Sequence, residues 1–210
     1  MSLDPKATAR TRARYQRIAP IYDKIETLAE RRYHPWRQDL WSLVQGPKVL
    51  EVGVGTGRNM SYYPKGLEIS AIDLTPGMLE RARQQAAKLN LNVDLRLGDA
   101  QALEFPDGTF DDVVATCVFC SVPDPVLGLT ELGRVVKPGG RILLLEHTCA
   151  ANPILGTLMD LLNPLVVNIV GANINRHTVE NVRRSGLELE QVEELDGAGI
   201  FKLIVALRSE

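Results

Sequence analysis

The chain has few cysteines, few aromatics, almost no net charge and no long apolar run. Three cysteines in 210 residues, an odd number with no early partner, make no disulfide framework, so a reducing, cytosolic setting is expected. The first residues hold no apolar stretch of the kind a secretion signal needs. The longest apolar segment, Pro153 to Ala172, is broken by Asp160, Asn163, Pro164 and Asn168, which argues against a membrane span. A net charge of −2 argues against a polyphosphate partner bound by the whole protein. Two nucleotide fingerprints are missing as well. Counted from Gly53, the last place of G-x-G-x-x-G falls on Arg58, and counted from Gly55 it falls on Met60. NAD and FAD are therefore disfavoured, and no G-x-x-x-x-G-K-[ST] phosphate loop occurs.

What remains is ordinary for a folded domain: 45% apolar and 24% charged residues, which excludes disorder and coiled coil. The length suits one domain with additions. Charge is unevenly spread, with ten Lys and Arg against five Asp and Glu in residues 1–48.

Residues 4–45 read as one or two helices, punctuated by Pro20, with apolar periodicity running from Ile21, Ile25 and Leu28 to Leu40, Trp41 and Val44. Gly46-Pro47 reads as a hinge. Strands are then predicted at Lys48–Val52, Leu67–Ile72, Val93–Leu97, Phe110–Phe119 and Arg141–Glu146. Helices are predicted at Pro76–Leu89, with Thr75 as N-cap, and at Pro125–Val136, closed by the Lys137-Pro138-Gly139-Gly140 turn. Strands alternating with helices imply a parallel sheet covered on both faces. A short helix at Thr178–Ser185 precedes two strands, Leu187–Leu195 and Ile200–Leu207. Their short connection reads as a hairpin, so the last strand is expected to run antiparallel.

The chemistry concentrates at Glu51-Val52-Gly53-Val54-Gly55-Thr56-Gly57, where a strand enters a turn with glycine at alternate positions. Glycine permits positive φ and lets a ligand approach the main chain. Asp73 ends the second predicted strand, where an acid in this fold class accepts hydrogen bonds from ribose hydroxyls. Gly98-Asp99-Ala100 closes the third, putting another carboxylate at the same sheet edge.

E-x-G-x-G-x-G, the strand-two acid, the G-D-A step and the K-P-G-G turn together resemble the class I S-adenosylmethionine-dependent methyltransferases, over about residues 48–147. The resemblance implies a Rossmann-like α/β fold: a seven-stranded, mostly parallel sheet, helices on both faces and a helical lid. Residues 1–46 would form that lid and residues 47–210 the cofactor-binding domain. It implies S-adenosylmethionine as cofactor, S-adenosylhomocysteine as product and no metal. The implied cofactor contacts are Glu51, Gly53, Gly55, Gly57, Asp73 on the ribose, Leu74, Met78, Asp99 beside the adenine amine, Ala100, and Cys117 and Val118 flanking the sulfonium.

Tyr15-Gln16-Arg17-Ile18-Ala19-Pro20-Ile21-Tyr22-Asp23 is similar to the opening of quinone-ring and phospholipid N-methyltransferases, belonging to the methyltransferase type 11 group. That resemblance places Tyr15 and Tyr22 over the cofactor, with Tyr22 a catalytic candidate; an aromatic face suits a sulfonium cation. The competing reading is helix packing on the sheet.

Methyl transfer needs alignment and a dry pocket, and a base only if the acceptor arrives protonated. His147, at the end of strand five, is the candidate base, against a structural role. Cys117, Cys120 and Cys149 converge if strands four and five are neighbours, as packing residues or as a soft-acceptor site. The stretch around Cys120-Ser121-Val122 resembles thiol methyltransferases.

Leu155, Leu158, Leu161, Leu162, Leu165 and Val166 form an apolar segment suited to a hydrophobic acceptor, a buried helix or a dimer contact. The basic stretch Arg10, Arg12, Arg14, Arg17 allows peripheral contact with an anionic membrane, or is a solvated face. No aromatic-studded basic groove points to nucleic acid. The expectation is a cytoplasmic methyltransferase, monomer or homodimer, acting on a small or lipid-like apolar acceptor such as a phospholipid amine or quinone precursor. The alternatives are a thiol or arsenite acceptor, and a cofactor-binding module without turnover.

Overall fold

A computed structural model describes residues 3–169 and 171–208, with the side chains of 25–31 and 169 excepted. The periodic positions Ile25 and Leu28 therefore lie outside the described side chains, and Val170 lies outside the described residues.

The N-terminal stretch forms two helices. Helix α1 (Pro5–Ile18) starts where Asp4 accepts from the backbone N–H groups of Lys6 and Ala7, satisfying orphan donors of the first turn. Helix α2 (Tyr22–Ser42) follows after Pro20. Seven strands come next in one sheet: β1 (Lys48–Val52), β2 (Glu68–Asp73), β3 (Asp94–Leu97), β4 (Phe110–Thr116), β5 (Val136–His147), β6 (Glu188–Glu194) and β7 (Phe201–Leu207). Helix α3 (Pro76–Lys88) links β2 to β3 and α4 (Pro125–Val135) links β4 to β5. Helices α5 (Pro153–Ile169) and α6 (Thr178–Arg184) stand between β5 and β6.

The sheet order is β3-β2-β1-β4-β5-β7-β6. Neighbours from β3 to β5 run parallel, and β7 opposes both β5 and β6. The predicted antiparallel last strand is thus observed, inserted between β5 and β6. The order in which strands are added switches from one side of β1 to the other at β4, so a crevice opens at the carboxyl ends of these two parallel strands.

Alternation along β5 distributes the core. Ile142 and Leu144 face a layer that includes Leu129 and Leu132 of α4 and Val182 of α6. Leu143 and Leu145 face Leu40 and Trp41 of α2. Side chains alternate across a strand, so one leucine run fills both layers.

Two boundaries and one cap differ from expectation. β4 stops at Thr116 because Cys117 takes φ 53° and turns the chain out of the sheet. The Lys137–Gly140 turn becomes part of β5: between Phe110↔Val136 and Asp112↔Arg141 the register slips, and the extra residues bulge, with Gly139 at φ 70°. Thr75 stands at the N-cap position of α3 but its side chain caps nothing there.

The Gly46-Pro47 hinge is a correction. Asp112 accepts from the backbone N–H groups of both Gln45 and Gly46, at 2.7 and 2.8 Å. A Cβ on Gly46 would come within 2.0 Å of the Asp111 Cβ, so this glycine serves close packing. Likewise, loose packing of residues 1–46 holds for α1, which buries none of its residues, and fails for the end of α2, where Leu40 and Trp41 are completely enclosed.

Candidate active site

The turn after β1 is built on backbone that only glycine adopts without strain. Gly53, Gly55 and Gly57 have φ of 71°, 56° and 86°. The N–H groups of Gly53 and Val54 donate to the Ile72 carbonyl, holding the turn against the end of β2. From that end the Asp73 carboxylate reaches across: one oxygen accepts from the Gly55 N–H at 3.0 Å, the other from the Thr75 N–H at 2.8 Å. Burial pushes the Asp73 pKa up, opposed by those N–H bonds.

Beside this turn lies a cavity with a free volume of about 110 Å³. Gly53, Gly55, Asp73, Leu74 and Met78 form one side; Asp99, Ala100, Cys117 and Val118 form the other. Tyr15 and Tyr22 complete the wall from above, their ring centroids 6.5 Å apart.

Helix α1 is fastened across the cavity by polar side chains. Thr8 donates to Asp99 at 3.3 Å, the Tyr15 hydroxyl meets Ser121 Oγ at 2.5 Å, and Gln16 accepts from the Gly77 N–H at 3.0 Å. The Tyr15 side chain is only half-buried as a whole, but its hydroxyl end is enclosed, which raises its pKa far above the ordinary range. At α2, Asp23 accepts from the Thr56 hydroxyl at 2.7 Å and pairs with Arg58 at 3.3 Å, tying that helix to the glycine turn. Thr8, Asp23 and Thr11, which donates to the Ser121 carbonyl at 3.4 Å, have roles that motif reading did not assign. The i, i+3, i+7 spacing of Thr8, Thr11 and Tyr15 was the available signal for one helix face.

Three predicted residues are not in the cavity wall. Gly57 sits behind the turn, where a Cβ would press on Met60 Sδ at 3.0 Å. Glu51 lies under the turn, fully buried, accepting from Asn59 at 2.6 Å and from the Tyr63 hydroxyl. Burial raises its pKa to about 6, against the pull of those donors and of Arg37. Asn59 also bonds Arg37 of α2 at 2.5 Å and Thr116 of the cavity wall at 3.0 Å. His147 stands edge-on to Phe201 at 6.2 Å, and burial with the nearby Arg176 charge lowers its pKa to about 4.

The cysteines are free thiols. Burial pushes Cys120 up to about 12, while Cys149 packs near Gly156. Among the described residues no group of three His, Cys, Asp or Glu is placed to hold a metal ion.

Comparison with known proteins decides the family. A family model described as a methyltransferase domain matches residues 50–144. A demethylmenaquinone methyltransferase of Deinococcus radiodurans is 33% identical over 165 residues, spanning 75% of this chain and 68% of that protein. The chain belongs to the S-adenosylmethionine-dependent methyltransferases. A phosphatidylethanolamine N-methyltransferase of Cereibacter sphaeroides is 40% identical over 105 residues, 49% of this methyltransferase and 52% of that protein. The chain thus spans about half the length of one such relative and two thirds of the other. The solved structure of an S-adenosylmethionine-dependent methyltransferase from Thermotoga maritima superposes with a TM-score of 0.72 at 21% identity, covering 95% of this methyltransferase and 100% of that chain. At that identity it bears on the fold alone.

The cavity residues of this methyltransferase suit a nucleoside-bearing cofactor. A Cβ on Gly55 would meet no atom closer than 4.0 Å, so the turn presents bare backbone to a ligand. A carboxylate has about four acceptor sites, and the backbone bonds of Asp73 leave capacity for a vicinal diol.

Proposed function

We propose that this methyltransferase moves the methyl group of S-adenosylmethionine to a small or lipid-like apolar acceptor, a phospholipid amine or a quinone precursor. One observation carries the donor half: the Asp73 carboxylate, anchored by Gly55 and Thr75, lines the cavity next to the open face of the glycine turn. When bound, the cofactor supplies an electrophilic methyl on its sulfonium. Asp73 would hold the ribose, Asp99 the adenine amine, and Leu74, Met78 and Val118 the apolar remainder. The faces of Tyr15 and Tyr22 suit the cation electrostatically. Helix α1 excludes water from the site. Ligand sites usually measure about 300–1,000 Å³, and the cavity beneath α1 measures about 110 Å³, which favours a reading in which this helix moves aside to admit the cofactor. His147, outside the cavity wall, receives no proton-transfer role in this reading.

The acceptor half rests on the relatives' substrates and on a surface. The face of α5 exposes Ile154 (82%), Leu161 (76%) and Leu165 (59%), with Leu158 and Leu162 beside them. Among the described residues no helix is long and apolar enough to cross a membrane. A Cβ added to Gly171, just beyond α5, would lie 3.6 Å from Arg14 and Tyr15 of α1. The chain segment that leaves the C-terminal end of α5 therefore passes beside the Arg-rich α1. This arrangement suits an anionic lipid surface that delivers apolar acceptors to the site.

Transfer of tritiated methyl from the donor to lipid extract in anionic and in zwitterionic vesicles tests both halves. Label is expected in lipid or quinone fractions, more from anionic vesicles. Asp73→Asn is expected to weaken S-adenosylhomocysteine binding by about tenfold or more. Unchanged affinity in that variant refutes the donor site, and label confined to thiols, arsenite or RNA refutes the acceptor class.

A further inference from the structure

Glu146 interrupts the apolar run Ile142-Leu143-Leu144-Leu145 at the end of β5 and is completely buried. Burying a carboxylate there is costly unless it is paired or hydrogen-bonded, and the packing alone would accept another leucine. Its bonds show what it holds. Oε1 accepts from the backbone N–H of Val118 at 2.7 Å and of Phe119 at 3.0 Å. Both donors belong to the turn that leaves β4 through the left-handed Cys117. The Cys117 N–H itself bonds the Leu145 carbonyl at 2.8 Å, so the turn is stitched to the last residues of β5.

That turn is part of the cavity wall through Cys117 and Val118. Val118 also sits directly over Gly53: a Cβ there would fall 2.4 Å from Val118 Cγ2. A displacement of Val118 would therefore reach the glycine turn. Two more side chains pin the same segment further on. Asn173 donates from N and Nδ2 to the Cys120 carbonyl at 2.9 and 2.8 Å, and Arg176 Nη2 donates to the Val122 carbonyl at 2.9 Å. Glu146, Asn173 and Arg176 all lie beyond residues 50–144, where the family model matches.

We propose that Glu146 is a positioning residue for methyl transfer, its buried carboxylate locking the Cys117–Phe119 turn against the glycine turn and so setting the wall that the donor binds against. The proposal rests on the donor reading above. It acts through acceptor geometry: an oxygen at the Oε1 position must receive both N–H groups. A glutamine supplies that oxygen and a leucine does not.

The test compares the full-length wild type with Glu146→Gln and Glu146→Leu. Amide exchange at Val118 and Phe119 is read by NMR without cofactor, and S-adenosylhomocysteine affinity by calorimetry. In Glu146→Leu, exchange at both amides is expected to quicken about ten- to hundredfold, and affinity to fall about tenfold. Glu146→Gln is expected to keep both within about threefold of wild type, a rescue that a purely volume-filling role does not give. If Glu146→Leu does not fold, Asn173→Ala, which removes the side-chain half of the paired hydrogen bonds to the Cys120 carbonyl of the same segment, replaces it and is expected to bind more weakly. Wild-type affinity in Glu146→Leu, or in Asn173→Ala where that stands in, overturns the proposal alone, as does loss of binding in Glu146→Gln. A wild-type protein that does not bind S-adenosylhomocysteine overturns the donor reading and the proposal with it.

Discussion

Helix α1 and the end of α2 stand close together in the chain, and both read as one lid over the site. α1 buries none of its residues and is held by side-chain hydrogen bonds from Thr8, Tyr15 and Gln16 to three separate elements. The end of α2 buries Leu40 and Trp41 completely against Val49, Val114 and Leu143, and the link after it is anchored on Asp112. A segment held by a few partly exposed polar contacts opens at low cost, whereas one that completes the core opens only with global unfolding. The change from loosely held helix to core therefore falls near Pro20, not at Gly46, and we propose that only the part before it acts as a lid.

The sharpest way to break this comparison is to damage each side and compare melting with turnover. Trp41→Ala is expected to cost about 3–5 kcal/mol, lowering Tm by on the order of 10 °C. Deleting residues 1–18 is expected to leave Tm within about 3 °C while abolishing methyl transfer. Thermal melts and a labelled-methyl assay read both. A chain beginning at Pro47 should not fold, because it lacks Leu40 and Trp41; a folded one places the boundary back at Gly46.

His147 probes the α2 side, because Phe201, its edge-on neighbour, also packs with Tyr33 and Trp36 of that helix. Its folded pKa is lowered from 6.5 to about 4. The stability it contributes is therefore complete above pH 6.5 and is lost as pH falls toward 4. Glu51 and Glu146 act oppositely: raised from 4.5 to about 6 and about 7, they add stability as pH falls through that window. The informative quantity is thus the difference between His147→Gln and wild type. That variant is expected to gain on wild type by up to roughly 3 kcal/mol between neutral pH and pH 4. A constant difference in Tm across this range shows that His147 is not held neutral by burial.

The smallest effect concerns the latch of α1. Tyr15→Phe removes the bond to Ser121 and is expected to weaken closure by about 0.5–1.5 kcal/mol. Cofactor affinity should fall severalfold, with Tm unchanged. A drop in Tm without a change in affinity makes α1 a packing element and removes its role as a lid.

Much of the fold was legible because its signals are local. Alternate glycines after a short buried strand, an acid at the end of the next strand and strands alternating with helices are read within a few residues of each other. They placed Gly53, Gly55, Asp73 and Asp99 at one sheet edge, and the structure puts all four in the cavity wall. Glu51 stands outside the cavity wall because the motif names its position in the chain, while its partners Asn59 and Tyr63 come from the segment just after the glycine turn.

The sequence by itself determined the periodicity of the strands, the positive-φ turn and the carboxyl-edge acids, since each depends on residues adjacent in the chain or on one strand's alternation. Only the tertiary structure decided which helix is loosely held and which completes the core, because α1 and α2 both carry helical periodicity and differ in what they meet across the sheet. It also decided the partners of buried charge. Glu146 meets amides 27 and 28 residues earlier in the chain, and Thr8 meets Asp99 across 91 residues. Such pairs leave no local pattern, since hydrogen bonds form between groups that the fold brings together, whatever their separation in the chain.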